Sequence, residues 1–137
     1  MILKELFNIK LHLNENLFEE YDILTEMAQI GYLGPYQVYI HTNDPGNIPH
    51  FHIWDLSTKG QKFHTCVRID CPEYFHHTGK EDVLNSKQRK ELIKFLKSSY
   101  RGRPETIWQH LIDTWNDNNS KVEIDEYTPM PDYTKLK

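Results

Sequence analysis

The segment Pro49-His50-Phe51-His52 sets two imidazoles two residues apart, and His41 stands at the other end of the intervening loop, NDPGNI. In an extended strand, residues i and i+2 project from the same face, so an HxH pair can offer two rings to one divalent ion. A catalytic zinc site requires three protein ligands and an open position, whereas a non-haem iron site takes two histidines and a carboxylate. The expected ligands for a divalent metal (Zn, Fe or Mn) are therefore His41, His50, His52 and His64, with Asp44 or Asp55 as the carboxylate. A metal-free alternative uses His50 and His52 as acid and base, with Arg68 stabilising the charge that develops on a phosphodiester. The chain contains neither HExxH nor an HxE followed by PCxxC, and HxH alone is a weak motif. Histidines standing on a solvated or partner-binding sheet face are commoner than ligands. Cys66 lies two residues after His64, where a thiolate nucleophile is conceivable. With no supporting motif, a buried or inert thiol is the expectation.

These residues need strands to position them. QVYIHT (37–42), PHFHIWD (49–55) and KFHTCVRID (62–70) alternate in polarity and are bounded by turn-forming residues. A hairpin closing near 41/50 places Tyr39, His41, His50 and His52 on one face. If the apolar sets form the core face, His41, His50, His52, His64, Cys66 and Arg68 share the opposite one. Upstream, Phe7, Ile9, Leu11 and Leu13 alternate as a further strand. Leu17, Tyr21, Leu24 and Ala28 then follow a helical stripe that Gly31 and Gly34-Pro35 bring to an end.

Downstream, CPEYFHH (71–77) is a weaker strand candidate. A helix capped by Asn85 or Ser86 presents Leu92, Ile93, Phe95, Leu96 and Tyr100 to the core. Gly102 breaks it, and Pro104 is placed to begin a second helix whose stripe is Trp108, Leu111, Ile112 and Trp115. KVEIDEY (121–127) has the alternation of a short edge strand, and 128–137 has the composition of an extended tail. The expected fold is α+β, an antiparallel sheet of about four or five strands with three helices packed on one face. One domain over 1–137 is expected, with its core at about 5–127.

The 137 residues include 16 Lys+Arg and 20 Asp+Glu, a formal charge of −4, which argues against a general phosphate-backbone binder. Lys87, Lys90, Lys94, Lys97 and Arg101 nevertheless form a stripe opposite the apolar face of their helix. Such a stripe could dock nucleic acid or an acidic partner, although most such stripes are solvated helix backs. His110 and Asp113 share a face of the next helix. Cys66 and Cys71 suit reduced thiols in a cytoplasmic protein, and MILKELFNIKLHLNEN holds no apolar run suggesting a signal peptide or an anchor.

From about Tyr36 to Asp117 the chain resembles a family of small bacterial proteins with a signature like DHNPPHFHV. Asn43-Asp44, Pro49, His50, Phe51, His52 and Ile53 carry the resemblance, followed by IWQHLIDTW. The family's loop histidine is absent here, PGN fills its space, and Ile48 stands for the first proline. Members are often encoded beside a small partner in toxin–antitoxin-like pairs or on mobile elements. The resemblance thus implies a bacterial or phage accessory protein that acts as a protein-interaction module. The enzymatic alternative is a histidine-based or divalent-metal-dependent hydrolase or nuclease using the His41/His50/His52 face.

Overall fold

The computed structural model describes residues 27–41, 48–55, 63–76, 79 and 81–137. The strand expected over 7–13, most of the helix expected before Gly31, and Asp44 lie outside them. Four strands, β1 (Met27–Leu33), β2 (Tyr36–His41), β3 (His50–Trp54) and β4 (His64–Arg68), form an antiparallel sheet in sequence order. Two α-helices follow, α1 (Ser86–Lys97) and α2 (Ile107–Asn118). The class is α+β, with two α-helices rather than three among the described residues.

Residues 27–31 were expected to end a helix and instead open β1. Gly31 stops no helix: it sits just past a bulge at Ile30, between the pairs Gln29↔Tyr39 and Gly31↔Val38. A Cβ there would lie 2.9 Å from the Phe95 ring, so glycine lets α1 pack close against the strand. The turn to β2 is made by Gly34 at φ 58 and Pro35.

Alternation decides the faces of the central strands. Val38↔Ile53, Phe51↔Val67 and Ile53↔Thr65 pair on one side, and Val38, Phe51, Ile53 and Val67 join the core cluster. The helices cover that side with Leu92 and Leu96 of α1 and with Ile107, Trp108, Leu111, Ile112 and Trp115 of α2. Both helices begin in capping boxes, Asn85 with Gln88 and Thr106 with Gln109, each closing two of the four open amides at its helix start. Pro104 is therefore not the first residue of α2. It falls in the tight connection where Arg103 N donates to Tyr100 O at 2.9 Å, with Arg101 and Gly102 at positive φ.

Residues 121–127 form a 3-10 turn (Ser120–Val122) and a loop rather than an edge strand. Side chains of α2 take the backbone groups a sheet would have used. Trp115 Nε1 donates to Val122 O at 2.9 Å, and Asn116 exchanges hydrogen bonds with Ile124 N and O at 2.8 and 2.9 Å. Nor do residues 71–76 form a strand: among the described residues Tyr74 alone bridges to Val67, and the segment splits its bonds between β4 and the chain end.

That chain end is the largest departure from the sequence reading. Residues 128–137 were expected as an extended tail, yet Tyr133 is fully buried and Leu136 nearly so. Tyr133 Oη donates to Arg68 O at 2.6 Å, and Tyr74 N donates to Lys137 O at 2.9 Å. Burial pushes the Tyr133 phenol well above its ordinary value, so it stays protonated and remains a donor. Tyr133→Phe is expected to cost about 1 kcal/mol by leaving a buried carbonyl unpaired, and Tyr133→Ala about 3–5 kcal/mol through the cavity, both measured by urea unfolding. Thr65 Oγ1, also buried, has no hydrogen-bond partner among the described residues. Thr65→Val, which keeps the shape, is expected to raise stability by about 1 kcal/mol; a lowered melting temperature would mean that the hydroxyl is satisfied.

Candidate metal centre

The sheet's other face is not a solvated surface. Tyr39, His50, His52 and Cys66 on it are all buried, His52 at 4% exposure and Cys66 at 0%. Pairing puts Tyr39 across from His52, His52 across from Cys66, Trp54 across from His64, and His50 across from Arg68. Directly opposed strand residues bring their Cβ atoms to about 4.5–5.5 Å, and His64 lies two residues before Cys66 on the same face. Three side chains from two strands therefore converge.

The convergence is close. His52 Nδ1 lies 3.0 Å from His64 Nε2 and 3.2 Å from Cys66 Sγ, and Cys66 Sγ lies 3.6 Å from His64 Nε2. Among the described residues, His52, His64 and Cys66 are the group that could hold a metal ion. Zinc–nitrogen bonds of about 2.0–2.1 Å and a zinc–sulfur bond of about 2.3 Å at tetrahedral angles set N···N near 3.3 Å and N···S near 3.6 Å. The triangle matches those spacings to within about 0.4 Å.

Proton bonding alone accounts poorly for three such contacts. A ring nitrogen either donates its one proton or accepts through its one in-plane lone pair. The thiol proton and one N–H can then make two good hydrogen bonds among these atoms, leaving the third contact unbonded. A cation at the centre engages all three lone pairs. A nucleophilic role for Cys66 conflicts with its complete burial, which keeps a substrate carbon from the sulfur.

Neighbouring rings hold the ligands in place. Tyr39 stacks on His52 at 4.8 Å and 12°, and the His52 and His64 rings lie parallel at 5.3 Å. Trp54 stands 5.8 Å from the half-buried His64.

Of the residues expected from sequence, His52 and His64 join the convergent group. His41 and His50 lie beside it as rings, 5.9 and 5.1 Å from His52. His50 Nδ1 is 2.7 Å from Ile48 O, and since a carbonyl only accepts, that nitrogen carries the proton. The ring stacks on Phe75 at 4.3 Å and approaches Trp115 at 5.7 Å, an aromatic packing role. Arg68 is engaged elsewhere: its guanidinium forks onto Asp70 at 2.9 and 2.7 Å and reaches Glu73 at 3.5 Å. The hydrogen bond from Arg68 holds the Asp70 carboxyl below its ordinary range. The lysines Lys87, Lys90, Lys94 and Lys97 are exposed on α1, with Lys87 4.0 Å from Glu91. Arg101 leans over the Tyr100 ring at 5.3 Å, and that ring also stacks on His110. Burial lowers the His110 pKa and raises that of Asp113.

Cys66 is the member of this group that sequence reasoning set aside as a buried or inert thiol, and it is buried. The available signal was a second i, i+2 pair, His64-x-Cys66, facing the HxH of the neighbouring strand. No protein-family model, curated protein or solved structure matches the chain.

Neither cysteine is in a disulfide, and they differ in environment. Burial and a hydrogen bond to Glu73 at 3.2 Å push the Cys71 thiol up to about 11. Its alkylation by iodoacetamide is therefore expected to be slow at neutral pH and to climb until about pH 11. Glu73→Ala, which removes the acceptor and its charge, is expected to speed the reaction severalfold at pH 8.5. An unchanged rate would show that Glu73 does not hold the proton.

Proposed function

We propose that this protein binds one transition-metal ion, most suitably Zn(II), through His52 Nδ1, His64 Nε2 and Cys66 Sγ. The observation that carries the reading is the convergence of those three atoms from facing strands at 3.0, 3.2 and 3.6 Å. Two imidazoles and a thiolate favour zinc, cobalt and copper over the harder manganese. Iron of the two-histidine-one-carboxylate type would need a carboxylate where Cys66 stands.

Among the described residues three side chains would serve as ligands, and a fourth position taken by water would give the ligand count of hydrolytic zinc sites rather than of closed structural ones. His64, half-buried while its partners are buried, marks the side from which water and small molecules reach the ion. The reading favours the metal-dependent hydrolytic alternative over an interaction module, for which the basic face of α1 offers exposed lysines but no comparable convergence.

Purified protein is expected to carry close to one zinc per chain, and His52→Ala, His64→Ala and Cys66→Ser each to lower affinity by at least about 100-fold. Affinity should fall as pH is lowered, because both rings and the thiol must give up protons to bind. In Co(II)-loaded protein, a thiolate-to-metal charge-transfer band should be present and should vanish in Cys66→Ser. Added azide should shift the visible bands if the fourth position is open. No metal uptake by the intact chain, or uptake indifferent to all three substitutions, would overturn the proposal.

A further inference from the structure

The backbone of β4 has an inner edge facing β3 and an outer edge, and each of its ligand-bearing residues is held on the outer side. Phe75 N donates to Cys66 O at 2.9 Å, a contact between main chains. His64 is held differently. Its amide donates to Asp82 Oδ2 at 2.9 Å, and Asp82 N donates back to His64 O at 2.7 Å. One residue thus closes both outward backbone groups of His64, as a neighbouring strand would, with its carboxylate serving as one of the two links.

We infer that Asp82 is a positioning residue for the metal centre, clamping the main chain of His64 so that its imidazole stays aimed at His52 and Cys66. The inference rests on the metal-binding reading. His64 needs the clamp more than its partners do. It is the first residue of β4, and strand ends open most readily. It is also the half-buried ligand, while packing surrounds His52 and Cys66 on every side. A ligand must be held within about 0.5 Å of its productive position, and rotation of the main chain at His64 would carry the ring tip further than that. Arg68, the next outward-facing residue, has the same two-sided protection, from Glu73 O at 2.9 Å and from Tyr133 Oη at 2.6 Å. The outer edge is thereby closed at both ends of the strand.

Two other roles for Asp82 are separable from this one. It could serve only to anchor the 79–85 segment, or it could attract the cation by charge alone. In the full-length protein, Asp82→Ala is expected to weaken Zn(II) binding about tenfold in competition with a chromophoric chelator. The Co(II) derivative should lose visible intensity as the four-coordinate geometry loosens. Asp82→Asn keeps an oxygen acceptor for the His64 amide and the backbone donor, so its affinity is expected to stay within about twofold of wild type. Asp82→Glu keeps charge and acceptor but moves the acceptor by one methylene. It should bind zinc more weakly than Asp82→Asn, and it stands in if Asp82→Ala does not fold. Wild-type affinity and spectrum in Asp82→Ala, even with a lowered melting temperature, would reduce Asp82 to an anchor and overturn the inference while leaving the metal centre intact. Failure of Asp82→Asn alongside full activity of Asp82→Glu would assign the effect to charge and overturn it too. A wild-type chain that takes up no zinc would remove both the centre and the clamp.

Discussion

The pairing of β3 with β4 that sets His52 across from Cys66 is the constraint on which the rest of the molecule depends. Strand side chains alternate with a period of two, so a slip of one residue would turn both groups toward the helices and expose Phe51 and Val67. What prevents the slip is the opposite face. Phe51↔Val67 and Val38↔Ile53 are buried pairs, enclosed by Leu111, Ile112 and Trp115 of α2. Each large apolar side chain buried there contributes about 1.5–3 kcal/mol, so changing the register would forfeit several such contributions at once. The convergence on one face is thus held in register by packing on the other.

A sheet buried on both faces raises a second demand, because its polar groups must find partners without water. On the histidine face, among the described residues, His52, His64 and Cys66 contact one another and the surrounding rings. On the outer edge of β4 they are Asp82, Phe75, Glu73 and Tyr133, drawn from three separate parts of the chain. Exposed strand edges invite pairing with other chains, and covering one with loops and a chain end removes that hazard. The same cover stiffens the strand that carries His64 and Cys66, so the residues after 128 belong to the scaffold of the candidate site.

Much of this was legible in the sequence. Alternation over 37–42, 49–55 and 62–70 separated Val38, Ile40, Phe51, Ile53 and Val67 from Tyr39, His41, His50, His52 and Cys66, and a cap at Asn85 or Ser86 and the stripe Trp108-Leu111-Ile112-Trp115 were visible as patterns. The ligand set was only half visible. His50 and His52 look equivalent in PHFH, but Ile48 O and the rings of Phe75 and Trp115 take up His50, and two of those three lie far along the chain. Cys66 was underrated because the HxH motif drew attention to one hairpin, while the site draws on the next. The misreadings at the chain end have a common cause. VEIDEY alternates like a strand, but Trp115 and Asn116 claim its backbone groups. In PDYTKL, two apolar residues in one short turn are too few to register as a period, yet both reach the core.

Burial and access then divide the labour within the site. His52 and Cys66 are enclosed, Cys66 completely, and burial of that kind would shield a metal-bound thiolate from oxidation. Of the three, His64 carries the exposure. A ligand at the opening is the one whose position solvent and thermal motion disturb most, and it is also the one whose main chain is tied on both sides by a single residue. The most accessible member of the group is therefore tied through its main chain by Asp82, whereas its enclosed partners are surrounded by packing. Packing resists displacement in every direction, but it also seals a site. A clamp on the main chain fixes His64 without closing the path past its ring.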